Sequence, residues 1–196
     1  MQATALGLAP HSGWAALVVV AGPPAEPVVL LRDRVEMADL GLAGSKQPYH
    51  HVEGWSLPEA KKYLDRLSRS AQSMAKTSLR EVLRSLDDQG FRPRKAGILE
   101  SSGRKGLGLA ATLASHALIH TADGDHFRDA LEMAGTACGL KVERIGLRGL
   151  PERAKKALGR TPDQLAAQVQ TLGRPMGPPW GADQKAACLL AWTLLA

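Results

Sequence analysis

Two histidines four residues apart, with acidic residues close behind them, form one set whose types and spacing could do chemistry. His116 and His120 would lie on one face of a helix, a spacing that zinc-binding helices share. Asp123 and Asp125 follow directly in the sequence. The set His116, His120 and Asp123 could therefore hold Zn²⁺ or Mn²⁺. The alternative is a pair of half-buried histidines bonded to backbone groups, because no Glu stands beside the first histidine and the helix is expected to break near Ser115.

Three more histidines fall in turns or loops. His11 lies in a tight turn, Pro10-His11-Ser12-Gly13, between two apolar runs. His50 and His51 lie in a Gly- and Pro-containing loop of about residues 40–55. We interpret His50 and His51 as residues of a surface loop.

Turn and capping signals divide the chain into the elements that must position these side chains. The predicted strands cover residues 3–9, 14–21, 28–37, 94–100 and 140–147. The predicted helices cover about residues 57–89, 107–115, 123–138, 162–172 and 182–195. Three antiparallel strands followed by alternating helix and strand predict an α/β fold, a five-stranded mixed sheet with helices on both faces. The first strand should be central in this sheet, with the last strand parallel to it.

Three helix ends carry specific signals. Ser56 with Glu59, and Thr161 with Gln164, are typical of capping boxes, in which two side chains satisfy free backbone N–H groups. Gly139 suits the position after a helix, because glycine adopts the left-handed conformation without a Cβ clash.

Length and composition favour a globular protein. The 196 residues, 44% apolar and 22% charged, suit a single domain spanning residues 1–196, and no stretch is long enough to be a linker between two domains. The longest apolar run, 14–22, is too short to cross a bilayer, so we expect no membrane partner. Cys138 and Cys188 sit among apolar helix formers, which favours two reduced, buried thiols in a cytoplasmic protein.

The charge balance favours a polyanionic partner. The formal net charge is +6 and the pI is about 9.6. Lys and Arg gain free energy on nucleic acid by releasing phosphate counterions. Seven basic residues of the long helix are interpreted as a solvated face: Lys61, Lys62, Arg66, Arg69, Lys76, Arg80 and Arg84.

Four stretches of the chain resemble motifs of the ribonuclease-H-like superfamily, and specifically of RuvC Holliday junction resolvases. Residues 7–13 resemble the first strand and turn, Gly-Ile-Asp-Pro-Gly-Ser, and Ile98-Leu99-Glu100 resembles the strand that ends in the second acid. Residues 155–165 resemble a basic loop that runs into a helix, and residues 180–187 resemble the start of the terminal helix, His-x-x-Asp-Ala-x-Ala. The chain is also similar to a group of bacterial proteins with His-Ser-Gly-Trp and Ser-His-x-x-Ile-His motifs, which implies no particular activity.

The resemblance implies a metal-dependent nuclease site, and the departures from it suggest that the site is degenerate. The related enzymes place four acidic or histidine ligands around two Mg²⁺ ions. Here Ala9 stands where the resemblance expects the first aspartate, and Trp180 stands where it expects His or Asp. Glu100 and Asp183 remain as candidate catalytic residues and as ligands for Mg²⁺ or Mn²⁺, with His11 as a third catalytic candidate. Each acid could instead be structural, Glu100 at a strand end and Asp183 at a helix N-terminus.

The same resemblance points to nucleic-acid contacts in the basic segments. The candidates are Lys155, Lys156 and Arg160, with Arg104 and Lys105 after the fourth strand. A homodimer is a candidate assembly.

Three hypotheses follow for function. The first is a RuvC-like nucleic-acid-binding protein with weak or lost cleavage. The second is an active endonuclease with rearranged ligands, in which His11 or Asp123 replaces the missing acid. The third is a protein-interaction or assembly module that reuses the fold, since a fold alone does not fix a function.

Overall fold

A five-stranded mixed sheet organises the protein, as predicted. The computed structural model describes residues 2–101, 103 and 108–196. The strands are β1 (Thr4–His11), β2 (Trp14–Ala21), β3 (Val28–Glu36), β4 (Lys95–Glu100) and β5 (Lys141–Gly146). Their order is β3-β2-β1-β4-β5, with β2 antiparallel to its neighbours β1 and β3, while β1, β4 and β5 run parallel. The central first strand and the parallel last strand are therefore confirmed.

The helices lie in two layers, one on each face of the sheet. They are α1 (Pro48–His51), α2 (Leu57–Asp88), α3 (Leu109–Leu113), α4 (His116–Ala137), α5 (Leu150–Leu158), α6 (Pro162–Leu172) and α7 (Ala182–Thr193), with a 3-10 turn at Arg174–Met176. Among the described residues, no helix is both long enough and apolar enough to cross a membrane.

Alternation along β1 and β2 divides the core between these layers, because successive side chains of a strand point to opposite faces. Leu6, Leu8 and Leu17 belong to a core that includes residues of α2 and α4. Ala9 and Val18 belong to a second core that includes residues of α5, α6 and α7. Burial on both faces explains why β1 and β2 read as continuous apolar runs.

Helix α7 packs very close to the sheet. A Cβ atom on Gly7 of β1 would lie 1.9 Å from the carbonyl oxygen of Ala187, and one on Gly97 of β4 would lie 2.6 Å from Cγ of Leu190. Trp192 near the end of α7 is fully buried, and its Nε1 donates to the carbonyl of Pro24 at 2.9 Å. The two glycines therefore set how closely α7, and Asp183 in its first turn, approach β1 and β4.

Several predicted boundaries are wrong. Helix α4 begins at His116 rather than at residue 123, with Ser115 as its N-cap. Strand β1 extends to His11, so the turn consists of Ser12 and Gly13, with φ of 87° at Gly13. Residues 150–158 form a helix that the sequence did not reveal.

One of the two capping-box predictions is confirmed and the other is wrong. Thr161 and Gln164 form the predicted capping box, with Thr161 Oγ1 accepting from the Gln164 N–H at 3.3 Å and Gln164 Oε1 accepting from the Thr161 N–H at 2.9 Å. Ser56 is the N-cap of α2, but its hydroxyl donates to the Glu59 carboxylate at 2.5 Å and caps no backbone N–H.

Both cysteines are free thiols, but only Cys188 is buried as predicted, since Cys138 is half-buried. Burial raises the pKa of Cys188 to about 12, so its thiol stays protonated.

Candidate functional site

A cleft of about 400 Å³ opens at the edge of the sheet where the parallel strands end. The carboxyl ends of β1, β4 and β5 meet there because these strands run in one direction. Ala9, Glu100 and Asp183 all line this cleft, together with His11. The structure therefore brings together three of the four positions that the resemblance associates with metal ligands.

Asp183 is held beside an aromatic stack that begins on β1. His11 Nε2 lies 3.0 Å from Asp183 Oδ2, and both side chains are about 40% exposed. The His11 ring stacks on Trp14, with centroids 4.5 Å apart, and the guanidinium of Arg34 lies 4.0 Å from the centroid of Trp14 on the adjacent strand. The stack fixes the His11 ring so that one nitrogen faces the carboxylate.

Glu100 faces a shared arginine. Arg144 Nη1 lies 3.6 Å from Glu100 Oε1, and Arg144 also pairs with Asp129 at 2.5 Å and Glu132 at 2.7 Å. Burial alone would lower the pKa of Arg144, but the hydrogen bond and charge of Asp129, with the charges of Glu132 and Glu100, outweigh it and raise the pKa. The arginine thus stays charged and competes with any cation for Glu100.

Two arginines, Arg128 and Arg148, line the cleft itself. Arg128 donates from Nε to the Leu99 carbonyl at 3.1 Å, and its Nη1 lies 3.6 Å from Asp125 Oδ1. Arg148 is exposed at the rim. Burial lowers the pKa of Arg128, although acidic neighbours, led by Asp125, oppose this. Among the described residues, two carboxylates and two guanidinium groups line the cleft, a balance that suits an anion better than a pair of cations.

This donor set does not fit a two-metal centre. Mg²⁺ requires oxygen ligands, and a pair of ions needs carboxylates between them. Ala9, which lines the cleft, is 4% exposed, and its side chain has no ligand atom. Trp180 is not among the described residues that line the cleft, and its Nε1 donates to the Val169 carbonyl at 3.1 Å instead. Trp180 therefore fixes the loop after α6 and supplies nothing to the cleft.

The basic segment does not reach this cleft. Lys155 and Lys156 lie in the last turn of α5, so the expected basic loop is wrong over these two residues. Arg160 donates to the Ala25 carbonyl at 3.2 Å, and its guanidinium lies 5.5 Å from the centroid of the Trp192 ring. Both contacts are at the end of the strands opposite to the cleft. The two lysines are exposed, whereas Arg160 has structural contacts. The two other basic candidates, Arg104 and Lys105, lie outside the described residues.

A third histidine, His50, lies beside His116 and His120, which the sequence did not predict. His116 and His120 lie on α4 with their Nε2 atoms 3.1 Å apart. The His50 ring lies 4.4 Å from His120 and 5.3 Å from His116, measured between centroids. Asp123 does not join as a fourth ligand, because its Oδ2 bonds to His50 Nδ1 and its Oδ1 accepts from the Tyr49 N–H at 2.6 Å. The interpretation of His50 as a surface-loop residue is therefore wrong.

An aromatic and basic groove lies on the other side of α1. The rings of His51, Trp55 and Tyr63 lie 5.3–5.4 Å apart, and Trp55 is 41% exposed. The groove is lined by Gly54, Trp55, Ser56, Glu59, Lys62, Tyr63, Arg66 and Arg69. We call this surface the aromatic groove. Part of the basic face of α2, interpreted from sequence as merely solvated, thus borders exposed aromatic rings.

The sheet order and the helices on both faces give this chain a ribonuclease-H-like α/β fold. Two solved structures of RuvC from Thermus thermophilus are similar over nearly the whole chain. The first, of RuvC itself, has a TM-score of 0.51 and 18% identity over 97% of this chain and 92% of that chain. The second is RuvC in complex with a Holliday junction substrate, with a TM-score of 0.51 and 18% identity over 97% and 91% of the two chains. No model of a known protein family and no curated protein matches the sequence. At this identity the likeness establishes the fold.

Proposed function

We propose that this protein binds nucleic acid on a RuvC-like fold and that its metal-dependent nuclease site is degenerate. One observation carries the proposal: the cleft at the strand ends is lined by Ala9, where the resemblance expects an aspartate, and by two carboxylates that both face basic groups, Glu100 beside Arg144 and Asp183 beside His11. We further propose that residues 1–196 form a single domain, because both ends of the chain contribute to the same sheet and its covering helices.

The charges of the cleft support binding over cleavage. A guanidinium group donates paired hydrogen bonds to phosphate oxygens and needs no metal to do so. Arg148, which is exposed at the cleft, would present such a group to a phosphodiester, while the positive charges of Arg148 and Arg128 oppose the binding of two divalent cations. The RuvC structure with a Holliday junction substrate makes branched DNA the first ligand to test.

Two surfaces are candidates for the remaining contacts. The aromatic groove offers Trp55 and Tyr63 for base stacking beside Lys62 and Arg66, an arrangement common in single-strand binding. The resemblance instead favours Lys155 and Lys156, which are exposed at the end of α5. These surfaces are distinct enough to be tested separately.

Gel-shift titrations on three charge-reversed double variants would distinguish the surfaces. Lys62→Glu with Arg66→Glu tests the aromatic groove, and Lys155→Glu with Lys156→Glu tests the basic segment. Reversal of Arg80 and Arg84, which are exposed farther along α2, is the matched control because it removes the same positive charge.

The variant that alters the true binding surface should weaken binding at least 10-fold more than the control does. It should also flatten the plot of log K against log salt, by about 0.9 for each phosphate that the protein no longer neutralises. Trp55→Ala should weaken single-strand binding by about 1–3 kcal/mol if a base stacks there. Equal losses of affinity in all three variants would indicate that the protein attracts nucleic acid only non-specifically. If the wild type binds no nucleic acid at all, the hypothesis of a protein-interaction module would be favoured instead.

One observation supports the alternative of an active endonuclease. His11 lies 3.0 Å from Asp183, and an imidazole beside a carboxylate suits Mn²⁺ better than Mg²⁺. Asp123 gives this alternative no support, because its carboxylate is bonded to His50 and Tyr49. Mn²⁺-dependent cleavage that is abolished in His11→Ala would favour it.

A further inference from the structure

We propose that His50, His116 and His120 bind one Zn²⁺ ion at the junction of α1 and α4. One ligand nitrogen from each ring can be chosen so that all three lie within 4.8 Å of one another. The Nε2 atoms of His116 and His120 are 3.1 Å apart. Tetrahedral Zn²⁺ with Zn–N bonds of about 2.0–2.1 Å requires nitrogens about 3.3–3.4 Å apart, so small side-chain movements complete the site.

Asp123 orients the first ligand. It is 5% exposed, and a buried carboxylate is stable only when it is well paired. Its Oδ2 holds Nδ1 of His50, and its Oδ1 accepts the N–H of Tyr49 at 2.6 Å. Because Nδ1 is bonded to the carboxylate, Nε2 is the nitrogen of His50 that is left to bind the metal. A carboxylate behind a histidine is the usual second layer of a zinc site, since it fixes the ring and the tautomer.

The ligand set selects the metal and leaves a coordination position open. Three imidazole nitrogens favour Zn²⁺ and related transition metals over Mg²⁺ or Ca²⁺, which prefer oxygen. His116 and His120 are exposed, so the outer side of the ion faces solvent. Three protein ligands with an open fourth position are typical of zinc sites that bind water or an exogenous anion.

The zinc site is separate from the cleft that carries Glu100 and Asp183. Arg128, which lines the cleft, lies eight residues beyond His120 on α4, or about 12 Å along the helix axis. The histidines lie in the first turns of α4, whereas Arg128, farther along α4, donates to the Leu99 carbonyl near the end of β4. Removal of the cleft carboxylates should therefore leave zinc binding intact.

Isothermal titration of the metal-free full chain with Zn²⁺ alone, and elemental analysis of the loaded protein, test the proposal. We expect one Zn²⁺ per chain, no competition from excess Mg²⁺, and a tetrahedral visible spectrum with Co²⁺. His116→Ala and His120→Ala change exposed residues, and each should weaken binding at least 100-fold. Asp123→Asn should weaken it about 10- to 100-fold.

Two controls locate the site. His51→Ala changes the neighbouring residue of α1, whose ring packs near Trp55 and Tyr63, and it should bind Zn²⁺ like the wild type. Glu100→Gln combined with Asp183→Asn should do the same. Sub-stoichiometric binding by the wild type, or wild-type affinity in the His116→Ala and His120→Ala variants, would overturn the proposal. Failure of the carboxylate variant to bind Zn²⁺ would also overturn it, because the ion would then belong to the cleft.

Discussion

The close packing of α7 on the sheet makes Gly7→Ala the most quantitative test of the geometry that presents Asp183. The new methyl group would lie 1.9 Å from the carbonyl oxygen of Ala187 and 3.0 Å from the Ala191 nitrogen. Relief requires a helix movement of more than about 1 Å, because backbone atoms, unlike the end of a flexible side chain, cannot rotate away. Overpacking of a core costs about 1–3 kcal/mol, and a clash with backbone belongs at the upper end, at about 3 kcal/mol.

Urea unfolding followed by circular dichroism measures this loss of stability directly. For a chain of this length about 3 kcal/mol corresponds to a fall in Tm of about 6–12 °C. Gly97→Ala should cost less, about 1–2 kcal/mol, because its new methyl group meets the movable side chain of Leu190. Gly146→Ala is the matched control, since nothing lies within 4 Å of the added Cβ. A Gly7→Ala protein within about 1 kcal/mol of the control would refute the close packing of α7.

Two other measurements test local features. Thr161→Ala should lower the free energy of unfolding by about 1 kcal/mol, because it removes a formed capping box. Ser56→Ala should lower it by less than about 0.5 kcal/mol, because the Ser56 hydroxyl donates to Glu59. Equal losses of stability for the two variants in urea unfolding would contradict this distinction. Burial lowers the pKa of His126 below the unfolded-state value of about 6.5, so protonation of His126 favours the unfolded state. The free energy of unfolding should therefore fall as the pH drops through about 6.5 and should level off below the folded-state pKa. His126→Gln should lessen this fall between about pH 7.5 and pH 5, and an unchanged pH profile would refute the assignment.

The fold could be predicted from sequence because its signals are local. Continuous apolar runs mark β1 and β2, and glycine or capping residues mark several helix ends. Helix α5 escaped prediction because Gly149 and Pro151 near its start resemble turn residues, although a proline is tolerated in the first turn of a helix. The first turns of α4 escaped because their exposed residues, such as His116 and His120, give little apolar periodicity.

The candidate sites were harder to predict because they join distant parts of the chain. His50 and Asp123 are 73 positions apart, and their spacing carries no signal that the fold would place them side by side. The same holds for Arg144, which lies in a strand of mixed polarity and reaches Glu100 on the neighbouring strand. The residues around Ala9 were identified only through the resemblance, since a missing aspartate is visible only against a family that has one.

A metal-titrated nuclease assay tests the central claim most directly. Four-way junctions, RNA–DNA hybrids and single strands would be incubated with the wild type, Glu100→Gln, Asp183→Asn and His11→Ala in Mg²⁺ or Mn²⁺. We predict no Mg²⁺-dependent cleavage above background, and any residual activity should prefer Mn²⁺ and disappear in both carboxylate variants. Strong Mg²⁺-dependent cleavage by the wild type, abolished by Asp183→Asn, would contradict the degenerate site and establish an active nuclease.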